Sequence, residues 1–121
     1  MKEANIQKHL VSFLYAALPN DALIIHIPNG LGKISMRAGV QAKAMGLMAG
    51  VADLMVLLPG AQCIFIEVKN EKGRQSPAQK TFEAKATALG FVYIVARSID
   101  DVRMGLAACG VTTRESKNES F

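Results

Sequence analysis

Two short apolar runs joined by a tight turn constrain this chain more than any other feature. Residues 51–58 (Val-Ala-Asp-Leu-Met-Val-Leu-Leu) and 62–69 (Gln-Cys-Ile-Phe-Ile-Glu-Val-Lys) each read as a strand, with Pro59-Gly60 between them. That dipeptide has turn chemistry, because proline presets φ and glycine tolerates a positive one. A connector this short permits only antiparallel pairing, so the two runs form a hairpin. A polar loop follows over residues 70–75, and then Ser76-Pro77-Ala78-Gln79 has the form of a helix start. Ser takes the N-cap, Pro the first helical position and Gln the third. The helix runs to Leu89, with Gly90 ending it. Residues 91–96 then return as a strand, and a helix between two strands implies a crossover to a parallel neighbour.

The remaining elements complete a small α/β domain with a mixed sheet. Residues 2–18 predict a helix, because Ile6, Leu10, Phe13, Leu14 and Ala17 recur at helical spacing. Pro19-Asn20-Asp21 ends it. Residues 22–27 read as a buried strand, closed by Pro28-Asn29-Gly30. Residues 30–50 carry five glycines and read as a flexible loop with a short helix near 37–48. Ser98 caps a last helix with Asp100 and Asp101 in its first turn. The order is α-β-(loop/α)-β-β-α-β-α. Phe13, Tyr15 and Phe82 fall on helical apolar stripes and are expected in the core.

The 121 residues are half apolar and one-fifth charged, which excludes wholesale disorder and fits one domain. That domain is expected over residues 1–113, with 114–121 as a frayed tail that has lost periodicity. Cys63 and Cys109 are too few for a disulfide scaffold or a four-cysteine zinc site, and are expected as small buried hydrophobes. No apolar run approaches the roughly 20 residues of a membrane span. The first residues lack a secretory apolar block, so the expected compartment is the cytoplasm, of a bacterial or phage-infected cell.

Charge is unevenly placed on a chain of net +4. Between Asp21 and Asp53 there is no acid, yet Lys33, Arg37 and Lys43 are present. A second basic group, Lys72, Arg74 and Lys80, follows Glu67. Each lysine alone reads as solvated surface. Two basic groups flanking a pair of acids suit a phosphate backbone held beside a metal-binding carboxylate site. Gly30-Leu31-Gly32-Lys33 lacks the full phosphate-loop pattern, so no nucleotide cofactor is implied.

Charges also stand inside the apolar runs. Asp53 interrupts the first strand. Glu67 and Lys69 alternate with Ile64, Ile66 and Val68, which places the two charges on one face and the aliphatics on the other. Separately, Asp53 reads as a turn residue and the Glu67–Lys69 pair as a strand-end ion pair. Together they gain a second meaning. A hairpin brings both acids to one end of the sheet, where they would share a divalent cation with oxygen preference, Mg²⁺ or Mn²⁺. Lys69 on that face would orient or deprotonate a water, or neutralise a phosphate. Glu3 and Gln7 lie along the apolar stripe of the first helix, an odd place for Glu3 unless it meets something charged. His26 reads either as a substrate contact or as a hydrogen-bonded core histidine.

Asp53…Glu67-Val68-Lys69 resembles the PD-(D/E)xK nuclease superfamily. Within it, Gly50-Val51-Ala52-Asp53-Leu54, Phe65-Ile66-Glu67-Val68-Lys69, Gly73, Ser76 and Gln79 resemble the virus-type replication-repair nuclease (VRR-NUC) family. The resemblance spans roughly residues 2–105, with Glu3 and His26-Ile27-Pro28-Asn29 fitting as well. The family carries proline before the motif Asp, where Ala52 stands here. The resemblance implies a restriction-endonuclease-like core, a mixed four-stranded sheet flanked by helices in α-β-β-β-α-β order. It also implies Mg²⁺- or Mn²⁺-dependent cleavage of DNA. Asp53, Glu67 and the Val68 carbonyl would hold metal, and Glu3 would reach it from the first helix. Lys69 would activate the water, and Gln79 would orient water, substrate or Lys69. Gln79 has an equally strong reading as a helix cap. Stand-alone members resemble junction resolvases, which implies a homodimer acting on branched DNA. A flap- or end-processing nuclease, a silent nucleic-acid-binding module and a protein-interaction domain remain the alternatives.

Overall fold

A computed structural model describes residues 1–28 and 35–114. Its elements in chain order are α1 (Glu3–Ala17), β1 (Leu23–His26), α2 (Met36–Ala44), β2 (Leu54–Leu58), β3 (Gln62–Val68), α3 (Pro77–Ala88), β4 (Val92–Ala96) and α4 (Ile99–Ala108). The strands form one sheet in the order β1-β2-β3-β4. β1–β2 and β2–β3 pair antiparallel, and β3–β4 pair parallel. The sheet is therefore mixed, as the turn at Pro59-Gly60 and the α3 crossover dictate.

Strand alternation divides the side chains between two faces. One face carries Leu54, Val56, Leu58, Ile64, Ile66, Val68, Ile94 and Ala96, all buried. α1 and α4 lie over it, contributing Ile6, Leu10, Phe13, Leu14, Val102 and Leu106 to the same core cluster. The opposite face carries Phe65, which meets Phe82 of α3 edge-on at 5.2 Å between ring centres, and Phe91 at 5.9 Å. α3 thus covers the β3–β4 half of that face.

Several expectations need correction. β1 is an exposed edge strand, not a buried one: Leu23 is 56% and Ile25 36% exposed. Its position at the end of the sheet leaves one side without a neighbour. Strand β2 begins at Leu54, so Asp53 lies in the bend before it rather than within it. The second helix ends at Ala44 instead of 48 and buries no residue. It touches no other helix or strand among the described residues. Tyr15 is 61% exposed, because it falls just off the buried stripe of α1. Phe82 is half-buried. Cys63 and Cys109 are free and only half-buried. Lys33 and residues 115–121 of the expected tail lie outside the described residues. No helix among the described residues is long and apolar enough to cross a membrane.

Candidate active site

The hairpin brings the two acids to the same end of the sheet. Leu54 pairs with Ile66, so Asp53 immediately precedes the paired stretch of β2 and Glu67 immediately follows that of β3. The Asp53 carboxylate reaches across to the end of β3. Asp53 is tied on both flanks: its backbone carbonyl accepts the Ile27 N–H at 2.8 Å. Its Oδ2 accepts the Val68 N–H at 2.7 Å. The segment before it is set by Gly50, which adopts φ +79° against the first turn of α3. A Cβ there would stand 2.2 Å from the Ala78 carbonyl oxygen, so only glycine permits this approach.

Burial pushes the Asp53 carboxyl above its ordinary value. The Val68 N–H opposes that shift, Glu3 adds to it, and Lys69 and His26 oppose it more weakly. Glu67 is fully buried. Its Oε1 accepts from the Tyr93 hydroxyl and from Gln75 Nε2 at 3.4 Å. Gln75 also donates to Glu83 at 3.0 Å. Burial, then the bond to Glu67, raise the Tyr93 phenol far above its usual range, so it remains a donor. The other Glu67 oxygen, Oε2, is buried with no hydrogen-bond partner. A buried anionic oxygen without a donor costs several kcal/mol, on the order of a lost charged hydrogen bond or more.

Lys69 follows the last residue of β3, and its N–H donates to the Ala96 carbonyl at 3.0 Å. Glu67 is fully buried, and it forms no ion pair with Lys69 among the described residues. Glu3 arrives from the first turn of α1, and its Oε2 accepts the Asn70 N–H at 3.3 Å. Gly73 makes room for this: a Cβ there would lie 2.9 Å from Glu3 Oε2 and 3.1 Å from Lys69 Cδ. Glu3, Asp53, Glu67 and Lys69 thus converge at one end of the sheet from three stretches of chain: the start of α1, the bend before β2 and the end of β3.

A divalent cation is implied by this donor set, and the residues fit one in a specific way. Glu67 Oε2 is buried without a donor, and burial outweighs the nearby positive charge of Lys69 and His26 at Asp53. No three His, Cys, Asp or Glu side chains among the described residues cluster to hold a metal by themselves. Asp53 and Glu67 offer two carboxylates at this end of the sheet, a donor set of the kind that holds Mg²⁺ together with several waters.

The other expected residues sort by position. Gln79 folds back onto its own helix start: its Oε1 accepts the Ser76 N–H at 2.8 Å, and its N–H donates to Ser76 Oγ at 3.1 Å. Its carbonyl oxygen is spent on capping. His26 is exposed; its Nδ1 lies 2.8 Å from Gln7 Nε2 and 3.3 Å from the Asp53 carbonyl, accepting from the first or donating to the second according to tautomer. It is hydrogen-bonded at the rim rather than in the core. Arg74 and Lys80 line a common cleft, whereas Lys72 is exposed with its N–H on Asn70 Oδ1. Arg37 and Lys43 are exposed on α2. The sequence reading missed Tyr93, Gln75, Glu83, Asn70 and Arg97. Tyr93 had a signal, since alternation along 91–96 places it on the face of Val95, which pairs with Glu67. Its partner was invisible without the register.

Neither a family model nor a curated protein matches this chain. Solved structures do. One, described as a VRR_NUC domain protein, superposes with a TM-score of 0.68 at 24% identity, covering 88% of this chain and 86% of the other. A second, described as a VRR_NUC domain, gives 0.60 at 21% identity, covering 88% and 94%. The chain has the VRR_NUC domain fold. In that fold the motif residues named from the sequence occupy one end of the sheet, and α3 begins beside them with Gly50 packed on its first turn.

Proposed function

We propose that this chain is a nuclease that hydrolyses phosphodiester bonds of DNA with Mg²⁺ or Mn²⁺. The observation that carries the reading is the Asp53 carboxylate bonded to the Val68 N–H at the end of β3, within the field of Glu3 and Lys69, next in chain to Glu67 whose Oε2 is buried without a donor. The VRR_NUC fold of the neighbours supports it. Asp53, Glu67 and the Val68 carbonyl would hold the metal, which supplies charge neutralisation at the phosphate and acidity to a bound water. Glu3 sits where it strengthens the negative field on that position. Tyr93 and Gln75 fix the Glu67 carboxylate so that one oxygen stays turned inward. Lys69 stands beside the acids as the group that orients the attacking water or takes its proton. In hydrolysis the water oxygen bonds to phosphorus, one phosphorus–oxygen bond breaks, and the departing oxygen gains a proton.

We further infer that the substrate is branched DNA and that the working form is a homodimer in the cytoplasm. A four-way junction needs two symmetric cuts, and a two-fold dimer supplies two sites by construction. The test is cleavage of labelled four-way junction, flap and plain duplex with Mg²⁺, Mn²⁺ or EDTA. Metal-dependent cutting is expected, with Lys69→Ala slower by at least about 100-fold. Unchanged cleavage by Lys69→Ala or Asp53→Ala would show the site to be misassigned. Cutting of flaps alone would keep the chemistry and discard the junction. No cutting of any substrate, with salt-sensitive binding intact, would make the chain a silent binding module.

A further inference from the structure

Each of the two parallel strands is followed by a basic residue. Val68 pairs with Ala96 as the last step of β3 and β4; Lys69 follows the one, its N–H on the Ala96 carbonyl, and Arg97 follows the other. Arg97 is held in place at its base and at its tip. Its backbone N–H donates to Asp101 Oδ2 at 2.8 Å, and its Nη2 donates to the Gly73 carbonyl at 2.9 Å. Gly73 is the residue over which Glu3 and Lys69 approach each other. The guanidinium is therefore anchored to the loop that borders the candidate active site.

From that anchor Arg97 lines a cleft of about 350 Å³ together with Arg74, Gln75, Lys80 and Val95. Three of the five are basic and none is acidic. None of the three forms an ion pair among the described residues, where the salt bridges are Met1–Glu71 and Arg103–Asp100. Gln75 is also the residue that donates to Glu67 and Glu83, so the cleft adjoins the buried carboxylate through one side chain. Basic groups from the loop, from α3 and from the end of β4 have converged with no carboxylate among the cleft's lining residues and, among the described residues, no ion pair to any of the three. Such a concentration is stabilised by an anionic ligand. One donor of Arg97 is used on Gly73, which leaves the rest of its planar fork for phosphate oxygens.

We propose that this cleft seats a backbone phosphate of the bound nucleic acid other than the one being cut, with Arg97 as its anchoring contact. The assignment deepens the nuclease reading and rests on it. It gives the substrate a second fixed point beside the carboxylates, and so a direction in which the strand crosses the end of the sheet.

The test separates binding from cleavage. The affinity of a short labelled DNA duplex is measured by fluorescence anisotropy in EDTA across a salt series, for the wild type, Arg97→Gln, Arg97→Lys, Lys80→Gln and Lys85→Gln. Arg97→Gln is expected to weaken binding on the order of tenfold at low salt. It is also expected to reduce the slope of log affinity against log salt by about 0.9, the loss of one phosphate contact. Lys80→Gln should act in the same direction. Lys85→Gln, on α3 outside the cleft, should leave the slope unchanged. Arg97→Lys should recover the slope, which mere disturbance of the Gly73 loop would not allow. A wild-type slope in Arg97→Gln overturns the proposal, even if cleavage is lost. Affinity that depends on a terminal phosphate of the duplex overturns the backbone assignment. If the slopes behave as expected but the wild type cuts nothing with Mg²⁺ or Mn²⁺, the nuclease reading fails and the cleft stands.

Discussion

Asp53 answers to three demands at once. Its carbonyl holds the end of β1, its carboxylate accepts from Val68, and its charge meets Glu3, Lys69 and His26. Burial dominates and raises its pKa. The ionised acid is therefore less favourable in the folded chain than in the unfolded one. Between the ordinary carboxylate value and the raised folded value the folded state binds more protons, so stability falls as pH rises through that window and stays lower above it. Asn at this position keeps an acceptor for the Val68 N–H and removes the charge. Asp53→Asn is thus expected to melt higher than the wild type in EDTA at neutral pH, with the gap closing in acid, and to lose cleavage by at least about 100-fold. Thermal melts at two pH values and a cleavage assay check this; a variant that melts lower at neutral pH would refute the burial argument. At this scale much of the site was legible. Asp53 and Glu67 were conspicuous because a carboxylate in an aliphatic run needs a reason. Tyr93, Gln75 and Arg97 were not, since an aromatic in a strand, a loop amide and an arginine before a helix cap each have ordinary explanations. Their significance lies in what they touch.

The elements follow their local signals wherever packing and propensity agree. Ser76-Pro77-Ala78-Gln79 begins a helix, and the structure shows both halves of the capping box. The Pro59-Gly60 turn gives the antiparallel hairpin, and Gly60 takes φ +80° there. β1 was misread because an apolar run of four to six residues looks the same at the edge of a sheet as in its middle. Only the count of neighbours distinguishes them, and that is a tertiary fact. α2 has a cap at Ser35 but no buried face, so its length had no packing to define it. Gln79 shows how one signal can carry two meanings. Its bond to the Ser76 N–H accounts for its presence without any chemistry. Glu serves equally well at this position of a capping box. Gln79→Glu is therefore expected to keep stability close to wild type, while Gln79→Ala loses about 1 kcal/mol by denaturant melting. Cleavage by the two variants then separates the roles. Activity that tracks stability assigns Gln79 to the cap, and loss in the well-capped Gln79→Glu assigns it to the site.

The whole molecule presents its site at one end of the sheet and an open edge along one side. β1 lies at that edge, and its outer backbone groups have no strand to pair with among the described residues. Leu23 and Ile25 are exposed on it, without a charged residue in the strand except the terminal His26 if protonated. Proteins that stay monomeric usually guard such an edge with lysine, proline or a bulge. This strand has none of these. Two copies related by a two-fold axis would pair β1 with β1 antiparallel, residue i of one facing residue j of the other and j facing i, and would cover Leu23 and Ile25 of both. The proposed homodimer therefore has a specific place to form. Sedimentation at micromolar concentration is expected to give a dimer for the wild type and a monomer for Ile25→Lys, because each copy would bring a lysine into a short seam whose strands, Leu23–His26, hold no carboxylate to offset it. Ile25 is outside the carboxylate site, so the variant should still cut plain single-site substrates while losing paired incisions at a four-way junction. A monomeric wild type would remove the two-site argument for junctions and leave the chemistry of Asp53, Glu67 and Lys69 untouched. A dimer that persists in Ile25→Lys would move the interface away from β1, and α2, which packs on no other helix or strand among the described residues, would become the next surface to substitute.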